Sequence, residues 1–382
     1  MTEHTDKRSH QGEGRGRGAE SPQQIPAKGW KDVLWRTYHE ISEDRVTMVA
    51  AAVTYFLLLS MVPALTALVS IYGLFTDPAT VTQHIQSLSS FVPEDGMAII
   101  EEQLTRLSST GGTTLGFALF FSVGIALWSA SAGVKNLFEA MNIAYEERES
   151  RSFIKLNATA LLFTLAGLLA IIAMIGVAVV VPVVLNVVGL GSGLEWLVQI
   201  GSYVVLALFL LAGIAALYRY GPSRQQAEWK WITPGALFAV VAIIVISILF
   251  SWYTSNFANY NETYGSLGGL IALLTWIWIT MTVLIIGAEL NSETEHQTRQ
   301  DTTIGTDDPM GRRDATVADT LGRTAGEDDS NDQHTEEWRA GYKAGASKYK
   351  PERRRFSASS LLFALPAALA VSLVERRKKQ QR

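Results

Sequence analysis

Six stretches of this chain carry no charged residue: 46–76, 107–134, 156–194, 196–218, 231–261 and 263–288. At about 1.5 Å of helix per residue, each is long enough to cross a hydrocarbon layer of about 30 Å. A segment in lipid must satisfy its backbone polar groups internally, so a helix is the expected form of each run. A membrane barrel would instead show strands of about ten residues alternating apolar and polar side chains, a pattern these runs do not have. The chain therefore reads as an all-α integral membrane protein with six transmembrane helices, an amphipathic pre-helix and a helical external loop.

Lysine and arginine near span ends are retained in the cytoplasm, which sets the orientation. Lys28, Lys31, Arg36 and Arg45 precede the first run. The second connector holds Arg148, Arg151 and Lys155 and the fourth holds Arg219, Arg224 and Lys230, whereas the first, third and fifth together hold Arg106 alone. Both termini are expected inside, in agreement with an even number of spans. The first 29 residues are polar, so no secretory signal peptide is expected. The chain has no cysteine, which excludes disulfides, thiolate metal sites, cysteine nucleophiles and a lipid-modified cysteine.

Composition divides the chain into a disordered N-terminal segment (1–28), a six-helix membrane domain (29–296), an acidic disordered linker (297–337) and a basic tail (338–382). In GWKDVLWRTYHEI, Trp30, Val33, Leu34, Tyr38 and Ile41 fall at helical spacing. They suit either an amphipathic helix at the cytoplasmic interface or a helix packed on the protein's own loops. The connector after the first run is too long for a turn, and Ile85, Leu88 and Val92, then Ile99, Ile100, Leu104 and Leu107, give it two helical faces separated by Pro93. Residues 291–337 hold thirteen Asp or Glu against four Lys or Arg, with few large apolar side chains to offset the entropy of ordering. Residues 338–382 reverse the balance, with twelve Lys or Arg against two Asp or Glu around SASSLLFALPAALAVSLV, which is short and interrupted by Pro366. A seventh span would carry ERRKKQQR outside, so an interfacial anchor on the anionic cytoplasmic leaflet is expected. Membrane lipids are the expected partners; nucleic acid is not, because no recognised fold or stacking module accompanies the charge.

Charged residues are absent from the middle of all six runs, which weighs against ion pathways, proton relays or voltage sensors there. Trp276 and Trp278 lie near the middle of the sixth run, where helix packing, or else the lining of a lipid-accessible groove, accounts for them. Polar residues gather at the expected cytoplasmic ends. Ser131, Lys135, Glu139 and Asn142 follow one another at spacings of four, four and three and so share a helix face. Arg219 ends the fourth run, and Glu289 and Asn291 follow the sixth. Arg219 and Glu289 are expected to pair across a partly dehydrated boundary. Structural roles, a gate and an anionic head-group site are all open readings of this cluster. On the opposite side Asn256, Asn259, Tyr260 and Tyr264 offer neutral hydrogen-bonding groups beside the aromatic belt residues Trp252 and Tyr253.

The segments AAAVTYFLLLSMVPAL, LWSASAGVKNLFEAMNIAY, LYRYGPSR, YGSLGGLIALLTWIWI and GAELN, in this order, resemble the YihY/BrkB family of bacterial inner-membrane proteins over residues 29–296. The resemblance implies a six-helix protein of that membrane. Members have been labelled virulence factors and also ribonuclease BN. A metal-dependent nuclease needs converging His or carboxylate ligands, and His4, His10, His39, His84, His296 and His334 include no close pair and none within a run. The expected function is permease-like or lipid-handling, for an apolar or amphipathic substrate, with no chemical step, cofactor or metal; the alternative is a non-transporting membrane scaffold. Labelling of single introduced cysteines tests the topology. Positions near Arg148 and Arg224 should react only from the cytoplasmic side, as should a tag after Arg382, and positions within 74–112, 187–195 and 254–265 only from outside.

Overall fold

The charge-free runs each fold as one long helix. Helix α1 (Ala27–Glu43) precedes α2 (Val46–Gly73), α3 (Leu115–Ala144), α4 (Phe153–Val188), α5 (Ser192–Tyr220), α6 (Trp229–Asn256) and α7 (Gly268–Glu295), and a single turn, α8 (Thr316–Asp319), follows. The computed structural model of the chain describes residues 14–73, 115–188, 192–256 and 267–325, which belong to one unit ending at Ala325. The external loop, Asn259, Tyr260, Tyr264 and the basic tail lie outside the described residues. Helices α2, α4, α5, α6 and α7 are long and apolar enough to cross a membrane. Helix α3 is of comparable length and carries Lys135 and Glu139 in its last three turns.

Helix α7 is the hub: it touches α1, α2, α3 and α6, while α2 runs along α3, α3 against α4, α4 against α5 and α5 against α6. The packed core lies at the end where α2, α4 and α6 begin and α3, α5 and α7 finish. Phe138, Met141, Tyr145, Tyr218, Ile232 and Ile285 are its large members, interleaved with Ala50, Ala236, Ala239 and Ala288. Toward the opposite end the outer faces turn apolar and exposed, with Phe209, Val241, Ile248 and Leu249 among them. A surface of that composition is suited to lipid tails rather than water.

Small residues let α6 and α7 meet backbone to backbone. A Cβ on Gly235 would fall on the Gly287 carbonyl oxygen and come within 2.6 Å of the Asn291 side chain; a Cβ on Gly287 would meet the Tyr218 hydroxyl. Pro234 removes one helix donor from α6, and the next N–H, that of Gly235, donates to Asn291 Oδ1 at 2.7 Å. The Tyr218 hydroxyl donates to the Leu284 carbonyl at 2.6 Å, tying α5 to α7.

Two segments expected to be disordered are ordered in part. Residues 14–28 contain a 3-10 turn at Pro22–Gln24, and residues 297–325 wrap back over the helix ends. The physical reason is that the acidic residues of 297–325 cap backbone rather than face water. Asp301 accepts from the Thr303 and Asp308 N–H groups, and Asp319 from those of Gly311 and Arg313. The Arg313 guanidinium donates to the carbonyls of Arg299, Gln300 and Ala318, with Nε on that of Asp308. Helix α1 also departs from the expected pattern. Its inner face is Gly29, Asp32, Val33, Arg36 and Thr37, whereas Leu34 and Tyr38 are exposed, because Asp32 and Arg36 find partners inside.

Overpacking at the glycine contact should be the most sensitive point of the bundle. Gly235→Ala is expected to destabilise the protein in lipid by about 1–3 kcal/mol or more. Gly167→Ala, where nothing lies within 4 Å of an added Cβ, should change stability by no more than about 1 kcal/mol. Thermal unfolding of both variants in bilayer discs measures the contrast.

Candidate functional site

The last turns of α7 run on without a stop signal, and Gly287 through Thr298 are all buried. Twelve consecutive buried residues that include Glu289, Asn291, Glu293, Glu295, His296 and Gln297 demand partners from elsewhere. The N-terminal segment, α1, the α5–α6 connector and residues 299–325 supply them.

Arg36 donates through Nε to Glu293 Oε2, and its Nη2 reaches the Glu293 carbonyl at 2.8 Å. Glu293 Oε1 lies 3.1 Å from His296 Nδ1, and His296 Nε2 lies 2.8 Å from Thr320 Oγ1. The Thr320 hydroxyl hydrogen goes to the Thr316 carbonyl, so Oγ1 accepts from Nε2. With Nδ1 facing a carboxylate and Nε2 facing a hydroxyl oxygen, the surroundings favour the doubly protonated imidazole. Burial opposes that charge, but Glu293 outweighs it and holds the His296 pKa above its ordinary value.

Two residues on from Glu293 and so on the other side of the helix, Glu295 accepts from Arg224 Nη2 at 2.7 Å and from the Thr302 hydroxyl at 2.6 Å. Arg224 also covers the Tyr145 ring at 5.2 Å. At the N-terminal side, Asp32 accepts from Arg15 at 2.7 and 2.8 Å and from the Ala325 N–H at 2.9 Å. Arg17 reaches the carbonyls of His296 and Gly322. These bonds clasp the two flanking segments onto α7.

The sequence-derived cluster is divided among several places. Asn142 accepts from the Ser223 N–H at 2.7 Å and donates to Glu149, so it bridges the α3–α4 and α5–α6 connectors. Burial works against the Glu149 charge, but Arg151 overrides it and holds its carboxyl at about 2. Lys135 donates to Asn157 at 3.0 Å, and Glu139 is exposed. Asn291 binds Gly235 as described. The Arg219–Glu289 pair is not formed among the described ion pairs. Arg219 lies over the rings of Trp229 at 4.3 Å and Tyr220 at 5.6 Å, with Nε and Nη1 buried and unpartnered. Glu289 is buried, and its Oε1 has no hydrogen-bond partner among the described residues. On the other side Asn256 is exposed and donates to its own helix at Trp252.

Sequence reasoning missed Arg36, Arg224, Glu293, Glu295 and His296. Glu289, Glu293 and His296 follow at spacings of four and three, and no Gly or Pro stops the helix after Asn291 until Gly305. That continuation was the available signal. Among the described residues, no three His, Asp or Glu converge as metal ligands.

A groove of about 340 Å³ opens between α2 and α7 on the apolar part of the bundle, lined by Ala51, Thr54, Tyr55, Leu58, Leu274, Thr275 and Trp278. Trp278 Nε1 donates to the Thr47 carbonyl at 2.9 Å, and Trp276 Nε1 to Ser247 at 3.2 Å. Trp278 thus lines the groove while remaining anchored to α2.

Long apolar helices with lipid-suited flanks around a charge-clasped end define a multi-pass membrane protein. The chain belongs to the BrkB family: the family model described as virulence factor BrkB matches residues 37–310, past the expected boundary at 296 and into the ordered acidic segment. A ribonuclease-like protein of Bacillus subtilis, YfkH, is 31% identical over 253 residues, 64% of this chain and 88% of that one. A UPF0761 membrane protein of Vibrio campbellii is 26% identical over 271 residues, covering 67% and 81% of the two chains. One from Haemophilus influenzae is 24% identical over 278 residues, covering 70% and 96%. No solved structure matches the chain. With these relatives, it is a bacterial inner-membrane protein.

The clasp predicts unequal costs. Arg224→Gln or Glu295→Gln leaves a buried charge unpaired and should destabilise by about 3–5 kcal/mol, the double variant by less than the sum. Arg219→Gln with Glu289→Gln should be additive. Double-mutant cycles on thermal unfolding in lipid discriminate the two cases.

Proposed function

We propose that the chain is a permease-like or lipid-handling protein that moves or presents an apolar or amphipathic substrate and performs no chemical step on it. The α2–α7 groove carries this reading. Ala51, Thr54, Tyr55 and Leu58 fall at i, i+3, i+4 and i+7 on α2 and face Leu274, Thr275 and Trp278 on α7. The lining has no charged group, two aromatic side chains and three hydroxyls, a composition that suits an acyl chain or a similar apolar body and offers an inorganic ion no charged ligand.

In this reading α3 is the sixth span and both termini are cytoplasmic, so the clasp closes the inner end of the bundle. The basic tail rests on the anionic leaflet and draws lipids as partners. The name of the Bacillus subtilis relative raises a nuclease as the competing possibility. Such an activity needs a group free to activate water and cations free to hold phosphate. Here His296, Glu293 and Arg36 are bound to one another, and Arg224 to Glu295.

Purification in native bilayer discs, identification of bound lipids and reconstitution for transport test the reading. Tyr55→Ala and Trp278→Ala should each lower lipid occupancy or transport about tenfold, equivalent to about 1.4 kcal/mol of lost contact. Unchanged occupancy together with no transport by the unaltered protein would favour the scaffold alternative.

A further inference from the structure

We infer that α1 is seated in the bilayer surface at the clasped end of the bundle, its stripe of Trp30, Leu34, Tyr38 and Ile41 turned into the boundary between head groups and acyl chains. The stripe follows from the way α1 is held. Asp32, Val33, Arg36 and Thr37 face the protein, and the side that an ordinary amphipathic helix would bury is left outside. Trp30, Leu34, Tyr38 and Ile41, at spacings of four, four and three, run along that side. Leu34 is 58% exposed and Tyr38 70%, while Trp30 and Ile41 are half-buried.

The path of α1 lies along the membrane surface. The Gly235 N–H donates to Asn291, so Trp231, one turn earlier on α6, is about level with Glu295, one turn later on α7. Trp30, near the start of α1, packs on the apolar cluster that holds Trp231. Arg36, in its middle, binds Glu293 of α7. Its last turn passes through Asp44 and Arg45, where a left-handed backbone at φ 51° turns the chain into α2. Helix α1 thus crosses from α6 over α7 to α2 at the depth where the apolar runs end, instead of running along any one of them.

The chemistry of the stripe selects lipid as its occupant. Exposed apolar surface resumes in the first turn of α2 with Met48, 64% exposed, and continues through Tyr55 and Phe56 on the lipid-suited flank, so the stripe extends a surface that already meets the bilayer. Tyr38 and Trp30 pair an apolar ring with a polar tip, the kind of side chain that concentrates at the head-group level. Lys28 and Lys31 are exposed beside the stripe, with stems long enough to bring their ammonium groups to lipid phosphates. Four side chains, two of them half-buried, fall short of the roughly 800 Å² per partner that a stable protein interface needs. Seated in this way, α1 sets the depth at which the charged end of α7 stands and keeps the clasp out of the hydrocarbon, whatever the groove carries.

The test uses the full chain in discs of phosphatidylethanolamine and phosphatidylglycerol. The chain has no cysteine, so spin labels on Leu34→Cys, Tyr38→Cys and His39→Cys each report one position. Leu249→Cys, on the exposed apolar face of α6, and Asp307→Cys, in the exposed acidic segment, give the lipid and water references. The ratio of collisions with oxygen to collisions with a water-soluble nickel complex is read at each label. At Leu34 and Tyr38 it should lie closer to the Leu249 value than to the Asp307 value. His39, exposed and about 140° round the helix from Leu34, should side with Asp307. Because the labelled side chains are exposed, the clasp should stay intact, which unchanged thermal melting checks. Water-like ratios at Leu34 and Tyr38 overturn the proposal, as does a His39 label as lipid-exposed as theirs. Labels at Leu34 and Tyr38 shielded from both agents overturn it too, and assign the stripe to a second copy or another protein.

Discussion

Everything at the clasped end follows from one constraint: the sixth apolar run continues as helix past its last lipid-compatible turn and carries charged side chains into a place without water. A buried charge stripped of its partner is worth several kcal/mol of instability, so the segments around α7 are arranged by what Glu293, Glu295 and His296 require. Arg36 fixes the rotation of α1, since its guanidinium must reach both the side chain and the carbonyl of Glu293. Arg224 fixes the α5–α6 connector by the same logic. Residues 297–325 close the end, because the carbonyls left free at the finish of α7 need donors; Arg17 and the Gly322 N–H both go to the His296 oxygen.

The opposite half of the bundle obeys different rules. Its outer faces are apolar and its contacts depend on close approach of small residues, with few side-chain hydrogen bonds beyond those to each helix's own carbonyls. Such packing tolerates a groove, since lipid can fill what protein does not. The division places a chargeless cleft along α2 and a charge-dense joint at the foot of the same helix.

The fold was legible where the signal was collective. Charge-free length marked all six long helices, because lipid acts uniformly on every residue of a run. The family match followed from ordered motifs whose glycines, Gly235 aside, lie within the quoted segments. The candidate site was legible only in part. Glu289 and Asn291 stood out as polar residues at the foot of α7, yet the Asn291 partner, Gly235, lies far away in sequence, and charge type alone selected Arg219 for Glu289 where the bundle lays that guanidinium over the Trp229 ring. The order in 297–325 was hidden because its stabilisation comes from Asp and Arg side chains bonding local backbone, which composition scores as disorder. Helix α1 was hidden for the complementary reason: its buried face is polar.

The clasp also imposes an order on biosynthesis. Arg36 and Glu293 are 257 positions apart, and Arg17 and His296 are 279 apart. At about 5–20 residues per second, roughly 13–50 s separate the emergence of α1 from that of its partner helix. Throughout that interval Arg36 lacks Glu293, so α1 cannot take its final place until α7 has been made. A chain that stops before α7 leaves the ribosome with this helix undocked and Arg36 without its carboxylate partner.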